Sequence, residues 1–95
     1  MTNASMPAKA VSEVWKFRME HMAETLALPV GAEFLHAHDQ DGEPCLWFRV
    51  DPSTKKQQRI FRAIGTGHKV SADSVYLGTA HCGSLVWHVF EVTNV

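Results

Sequence analysis

The stretch Trp15-Lys16-Phe17-Arg18-Met19-Glu20 places an apolar side chain at every odd position and a charged side chain at every even position. Side chains two residues apart in an extended chain point to the same side, so this alternation predicts a β-strand with one buried and one solvated face. The same period of two recurs farther along the chain and indicates a protein built mainly of strands.

Turn signals divide the rest of the chain into short segments. Asp41-Gly42 predicts a tight hairpin turn because glycine adopts positive φ without steric penalty, and Pro29-Val30-Gly31 and Gly65-Thr66-Gly67 interrupt the alternation elsewhere. The predicted strands span residues 15–20, 24–28, 33–38, 45–50, 57–64, 75–81 and 85–92. This spacing predicts an all-β, mainly antiparallel fold, either a β-sandwich or a small open barrel. Residues 8–24 could instead form a short helix, since Met19, Met22 and Ala23 have helical spacing.

Composition limits the function classes. The chain has 95 residues, nine Lys and Arg against ten Asp and Glu, and a formal charge of −1. We expect a flexible tail over residues 1–10 and a single β domain over 11–95. The near-zero charge argues against a protein that binds nucleic acid by bulk electrostatics, and no sequence-specific nucleic-acid contact is expected. No secretory signal or membrane-spanning stretch is seen, so we expect a cytoplasmic protein with free, buried Cys45 and Cys82.

Six histidines are the one compositional anomaly. His36 and His38 would project from one face of a strand and could share a metal, yet no third ligand stands at a fixed spacing, so no metal or cofactor is expected. Ser84 or Cys82 beside His81 or His88 could be drawn as a nucleophilic dyad, but a base and an orienting group are not both supplied. We therefore predict a protein without catalytic residues.

A binding site is predicted around the turn Gly65-Thr66-Gly67-His68-Lys69. Two glycines can aim backbone N–H groups at an anion, and His68 and Lys69 add positive charge, although the same glycines also suit an ordinary strand-ending turn. The predicted binding residues are Arg62, Gly65, Gly67, His68, Lys69 and Tyr76.

Cationic side chains on the first and fifth strands, Arg59 among them, are expected on solvated faces. The strand at 85–92 has no clearly solvated face, so it is either central or covered by a partner, and a homodimer through it is plausible.

Four motifs carry a resemblance to a known group of proteins: Glu43-Pro44-Cys45-Leu46-Trp47, Val50-Asp51-Pro52, Gly65-Thr66-Gly67-His68 and Leu85-Val86-Trp87-His88-Val89-Phe90-Glu91. Together they resemble a family of small proteins of unknown function encoded by bacteriophages and prophages, over about residues 13–92. His68 and His88 fall on positions where that family has histidine, whereas His36 and His38 do not.

The resemblance implies a non-enzymatic phage accessory protein in the bacterial cytoplasm that binds and inhibits a host defence protein or complex, as anti-CRISPR proteins do. Two alternatives stay open: a dimeric module that binds a nucleotide or other small ligand, and a virion-associated structural module that docks along the edge of strand 85–92.

Overall fold

The computed structural model describes residues 11–93, and the tail predicted at residues 1–10 lies outside the described residues. The protein folds into seven strands: β1 (Glu13–Arg18), β2 (Ala23–Pro29), β3 (Glu33–Gln40), β4 (Glu43–Val50), β5 (Lys56–Gly65), β6 (Ser74–Cys82) and β7 (Leu85–Val92). The all-β prediction is confirmed. Residues 11–93 contain no helix, and therefore none that could cross a membrane, so the helical alternative is wrong over the part of 8–24 that is described.

The strands form two antiparallel sheets that pack as a β-sandwich. One sheet has the order β1-β4-β3 and the other has the order β2-β5-β7-β6. The predicted central position of the strand at 45–50 is confirmed, because β4 lies between β1 and β3. β7 is also internal, with hydrogen bonds to β5 on one side and β6 on the other. The prediction that strand 85–92 offers a docking edge is therefore wrong, since neither of its edges is free, and of the two alternatives for its covered faces the central position is the one observed.

The turn between β3 and β4 forms as predicted. Asp41 has φ 58° and Gly42 has φ 86°, so both central residues lie in the left-handed region. This is the backbone pattern of a two-residue type I′ hairpin, which matches the right-handed twist of the flanking strands.

Aromatic rings fill the space between the sheets. Phe48 of β4 packs edge-to-face against Phe17, Phe34 and Phe61, with ring centroids 5.9, 5.8 and 5.4 Å away. Phe48 and Phe61 are fully buried and come from opposite sheets. Such edge-to-face pairs stabilise a core beyond the area they bury. Cys45 and Cys82 are free and buried, as predicted.

A glycine permits a close approach between β6 and β3. A Cβ added at Gly78 of β6 would lie 3.3 Å from the Phe34 ring and 3.7 Å from the Ala37 Cβ of β3. A side chain at this position would force the Phe34 ring, which packs on Phe48, to shift by a few tenths of an ångström. Gly78 also follows a bulge in β6, where the register shifts between Tyr76 and Gly78.

Arg59 corrects one sequence expectation. It does not lie on a solvated face but points between the sheets, where it forms an ion pair with Glu91 of β7 at 2.7 Å. Alternation alone assigned the wrong environment because a charged residue at an inward position reads as a solvated one unless its partner is known.

Candidate functional site

The connection from β5 to β6 covers one strand of the larger sheet. β5 and β6 are both paired with β7, so the chain leaving β5 must pass β7 before it enters β6. The connecting loop, residues 66–73, runs over the outer face of β7, where Val70 and the residues just before it share a depression with His88 and Phe90. This loop explains why the outward residues of β7 are only partly exposed.

His88 ties the loop to the sheet. Its Nε2 lies 2.8 Å from the Thr66 hydroxyl in the loop, and its Nδ1 lies 3.1 Å from the Thr79 hydroxyl on β6. The Thr79 hydroxyl in turn lies 2.6 Å from the Tyr76 hydroxyl. The result is a chain of four hydrogen-bonded side chains, and both ring nitrogens of His88 are occupied in it.

The six predicted binding residues lie around two adjoining depressions. The first has a volume of about 190 Å³ and includes Gly65, Gly67, His68 and Tyr76 in its wall. The second has a volume of about 170 Å³ and is lined by Arg62, Gly65, His68 and Lys69, together with Met22. The structure therefore brings all six residues into one neighbourhood, with Gly65 and His68 shared between the two depressions.

Aromatic and aliphatic side chains stand exposed at the rim. Tyr76 is 54% exposed, Val70 is 44% exposed, and the Tyr76 ring packs edge-to-face on Phe90 with centroids 5.6 Å apart. Arg62 is the cross-strand neighbour of Phe90 and is also exposed. We call the following residues the docking face: Arg62, His68, Lys69, Val70, Tyr76 and Phe90.

The sheet surface around the docking face carries no carboxylate among the residues described. Cross-strand pairing places these residues on the outer side: Ala23, Thr25 and Ala27 of β2; Gln58, Ile60, Arg62 and Ile64 of β5; Val86, His88, Phe90 and Val92 of β7; Ser74, Tyr76, Thr79 and His81 of β6. Glu91, by contrast, points inward to Arg59. The covering loop adds His68 and Lys69, and its single carboxylate, Asp73, is the residue just before Ser74.

The Gly65–Lys69 segment contains a hydrogen-bonded turn. The His68 N–H donates to the Gly65 carbonyl at 3.0 Å, and Gly67 has φ 90°. The His68 ring lies over Gly65, where an added Cβ would be 3.3 Å from ring atom Cδ2. The glycines therefore serve the turn and its packing, and the N–H of His68 is already used.

The other candidate constellations are arranged differently. The His36 and His38 rings stack with centroids 5.6 Å apart, and His36 lies 6.1 Å from Trp47, on the outer side of the three-stranded sheet. Within residues 11–93, no group of three or more His, Cys, Asp or Glu side chains is placed to hold a metal ion.

Burial, and then a hydrogen bond to Asp39, raise the pKa of Cys82 to about 11, so its thiol is protonated at neutral pH.

A family model matches residues 11–95, that is, nearly the whole chain, and its description is "Domain of unknown function (DUF7352)". The chain belongs to the DUF7352 family. No curated protein and no solved structure matches it significantly. For this DUF7352 domain, the comparisons supply a family but no function.

Sequence reasoning missed part of the site in this DUF7352 domain. It placed His88 and Phe90 on one face of their strand, but it had no signal for the Thr66 and Thr79 hydroxyls that hold His88. The two contacts join residues that lie 22 and nine positions apart along the chain. The local periodicity of a sequence does not show which loop will cross which strand. The predicted period of two was nevertheless sufficient to group His88 with Phe90.

Proposed function

We propose that this DUF7352 domain is a non-catalytic binding module whose docking face binds an acidic surface on a partner protein. The observation that carries the proposal is charge segregation: ten Asp and Glu nearly balance nine Lys and Arg in the chain, yet none of the outward-paired residues of the four-stranded sheet is acidic. A surface of one charge sign steers a partner of the opposite sign and disfavours the wrong ones.

The side chains of the docking face suit a protein partner. Tyr and Arg are enriched among the residues that dominate binding energy at interfaces, and Tyr76 and Arg62 both stand exposed beside Phe90. An exposed apolar group ringed by polar residues is typical of interaction sites. Val70 and Tyr76 supply the apolar group, and His68 and Lys69 supply the polar rim.

The shape of the site favours a partner protein over an enclosed metabolite. Pockets for small ligands usually measure about 300–1,000 Å³. The depression lined by Tyr76, His88 and Phe90 measures about 190 Å³ and has room for one anchoring side chain of a partner, whereas a nucleotide would extend beyond it. A neighbouring depression of about 370 Å³ shares Gly65, Thr66 and His68 with it, but it is lined further by Leu85 and Trp87 and not by Tyr76 or Phe90.

The expected setting comes from the resemblance rather than from the geometry. A phage accessory protein that inhibits a host defence protein would act by covering a working surface of its target. A surface that binds nucleic-acid substrates is basic and would be repelled, so within this proposal the target surface is an acidic one.

Affinity capture from a bacterial host lysate tests the proposal through matched variants. The double variant Arg62→Glu/Lys69→Glu reverses the charge of the docking face, and Tyr76→Ala removes its exposed ring. Lys16→Glu reverses one charge on the other sheet, which is half the charge change of the double variant, at a side chain that contacts Gln40. We expect captured proteins to be acidic, to be retained by Lys16→Glu, and to be lost by at least about tenfold with the other two variants.

Two outcomes would count against this function. If the same proteins are captured equally by wild type and by Arg62→Glu/Lys69→Glu, the docking face is not the binding surface. If nucleotides raise the melting temperature of the wild type but not of Arg62→Glu/Lys69→Glu, the small-ligand alternative replaces the proposal.

A further inference from the structure

β2 presents a free, straight hydrogen-bonding edge. It is the terminal strand of its sheet and pairs only with β5, in a register that is continuous from Ala23 to Pro29. The Met22 carbonyl accepts from the Ala63 N–H, and the Val30 N–H donates to the Lys55 carbonyl. The even-numbered residues of β2 therefore direct their backbone N–H and C=O groups towards β5. Antiparallel strands alternate strictly, and the odd-numbered residues therefore point their N–H and C=O groups away from the sheet.

The edge groups of β2 lack partners among residues 11–93. Ala23, Thr25 and Ala27 are exposed, and no hydrogen bond within the described chain reaches their backbone N–H or C=O groups. Pro29 ends the edge, because it has no N–H and its carbonyl accepts from Ala32 at 3.1 Å.

The other three sheet edges carry features that oppose strand pairing. β1 presents Lys16 and Arg18 from its edge-facing positions, and β3 has a bulge between Phe34 and His36. β6 has a bulge after Tyr76, and β3 packs beside it through Gly78. Charges and bulges are the devices by which proteins keep edges unpaired, and β2 has no bulge and no charged residue at its edge-facing positions Ala23, Thr25 and Ala27.

The one charged residue of β2 does not guard its edge. The Glu24 carboxylate turns back to accept the N–H groups of Glu20 and His21, at 3.0 and 2.9 Å. The outward side chains of β2 are small, namely Ala23, Thr25 and Ala27. Nothing on β2 therefore obstructs a neighbouring strand on the outer side.

We propose that the β2 edge pairs with β2 of a second copy of this chain, antiparallel and centred on Thr25. In this register Thr25 faces the partner's Thr25, and Ala23 faces the partner's Ala27, so every free N–H and C=O is satisfied. Shifting the centre by one residue to Leu26 would oppose Ala23 to Pro29, which has no donor. The self-complementary pattern is what selects a second copy of the chain as the occupant.

The pairing would enlarge the surface that carries the docking face, a point that rests on the proposed function. Two four-stranded sheets would join into one of eight strands, and the two carboxylate-free faces would become continuous. Homodimerisation is expected at this edge and not at β7, whose edges are both occupied.

Sedimentation equilibrium over a wide range of protein concentrations tests the dimer. Thr25→Pro removes the central edge donor, and the monomer tolerates it because that N–H bonds to nothing in the fold. Thr25→Lys keeps the backbone groups and sets two ammonium groups opposite each other. Val14→Pro and Val14→Lys are the matched controls, since Val14 occupies the equivalent edge-facing position of β1.

We expect the wild type and both Val14 variants to dimerise with rising concentration, and both Thr25 variants to remain monomeric with unchanged circular dichroism. Amide exchange at Ala23, Thr25 and Ala27 should slow in the wild-type dimer. A wild type that is monomeric throughout, or Thr25 variants that dimerise like the wild type, would overturn the proposal. The docking face is intact in the Thr25 variants, so lysate capture that persists with them separates this failure from failure of the proposed function.

Discussion

Arg59 and Glu91 join two neighbouring strands through a two-pronged ion pair inside the sandwich. Arg59 Nε lies 2.7 Å from Glu91 Oε2, and Arg59 Nη2 lies 2.8 Å from Glu91 Oε1. A third donor, Nη1, reaches the Ala32 carbonyl at 2.8 Å, and the guanidinium lies over the Phe61 ring at 5.6 Å. Both side chains are less than one-fifth exposed. The hydrogen bond to Glu91 raises the pKa of Arg59, which stays charged throughout the working range.

Removing one partner of this pair should destabilise the fold substantially. We expect Glu91→Ala to lower the free energy of unfolding by about 2–4 kcal/mol, because it leaves a largely buried guanidinium unpaired. The matched control is Glu33→Ala, which breaks an exposed pair with Arg49 at 3.3 Å and should cost less than about 1 kcal/mol. Urea denaturation measures both. Equal losses in the free energy of unfolding would mean that the Arg59–Glu91 pair contributes no more to stability than the exposed pair of Glu33 and Arg49.

Cys82 should make stability depend on alkaline pH. Its pKa is raised to about 11, first by burial and then by the hydrogen bond to Asp39, from an ordinary value of 9.0. The folded state then holds the proton more tightly than the unfolded state, so this contribution is complete below about pH 9 and is lost as the pH rises through 11. The loss amounts to about 2–3 kcal/mol.

The measurement is urea denaturation at a series of pH values in wild type and Cys82→Ala. Subtracting the two profiles removes the titration of lysine and tyrosine, which both proteins share. The difference between the two stabilities should shrink as the pH passes from 9 to 11. A difference that stays constant over that range would show that Cys82 does not titrate in the folded state as described.

Gly78 should tolerate no β-branched side chain. An added Cβ would already lie 3.3 Å from the Phe34 ring, which is held against Phe48. We expect Gly78→Val to destabilise the fold by about 1–3 kcal/mol through overpacking. Combining it with Phe34→Leu should give a smaller loss than the sum of the two single changes, because the smaller side chain makes room. Strict additivity in thermal or urea unfolding would contradict this contact.

His88 should control the order of the β5–β6 loop. His88→Ala removes the hydrogen bonds to Thr66 and Thr79, so we expect faster amide exchange at residues 66–70 with little change in the core strands. His81→Ala is the control, since His81 is exposed on the neighbouring strand. Hydrogen exchange read by mass spectrometry compares them. Equal protection of the loop in both variants would show that the loop is held by other contacts.

The extent to which the sequence predicts this fold is clearest at the hairpins. Asp41-Gly42 requires two positive φ angles, and the structure has them at 58° and 86°. That information is local, because it lies in the conformational preference of two adjacent residues. The six predicted site residues are likewise adjacent in space largely because four of them belong to one turn, residues 65–69.

Arg59 shows where local information ends. A cation within an alternating strand reads as solvated, and only the approach of Glu91, 32 positions away, makes an inward position favourable. The position of β7 is a similar case. Its apolar residues on both faces indicated a covered strand, but not that β5 and β6 occupy its edges or that the loop of Val70 covers its outer face.

The amino-acid sequence by itself determined seven strands, the turns between them and which residues share a face, since each depends on a period of two or on the φ preferences of neighbouring residues. Only the tertiary structure decided the order of the strands in two sheets, the inward ion pair of Arg59 and Glu91, and the free edge of β2. These features depend on packing free energies between segments distant in the chain, which no short stretch of sequence contains.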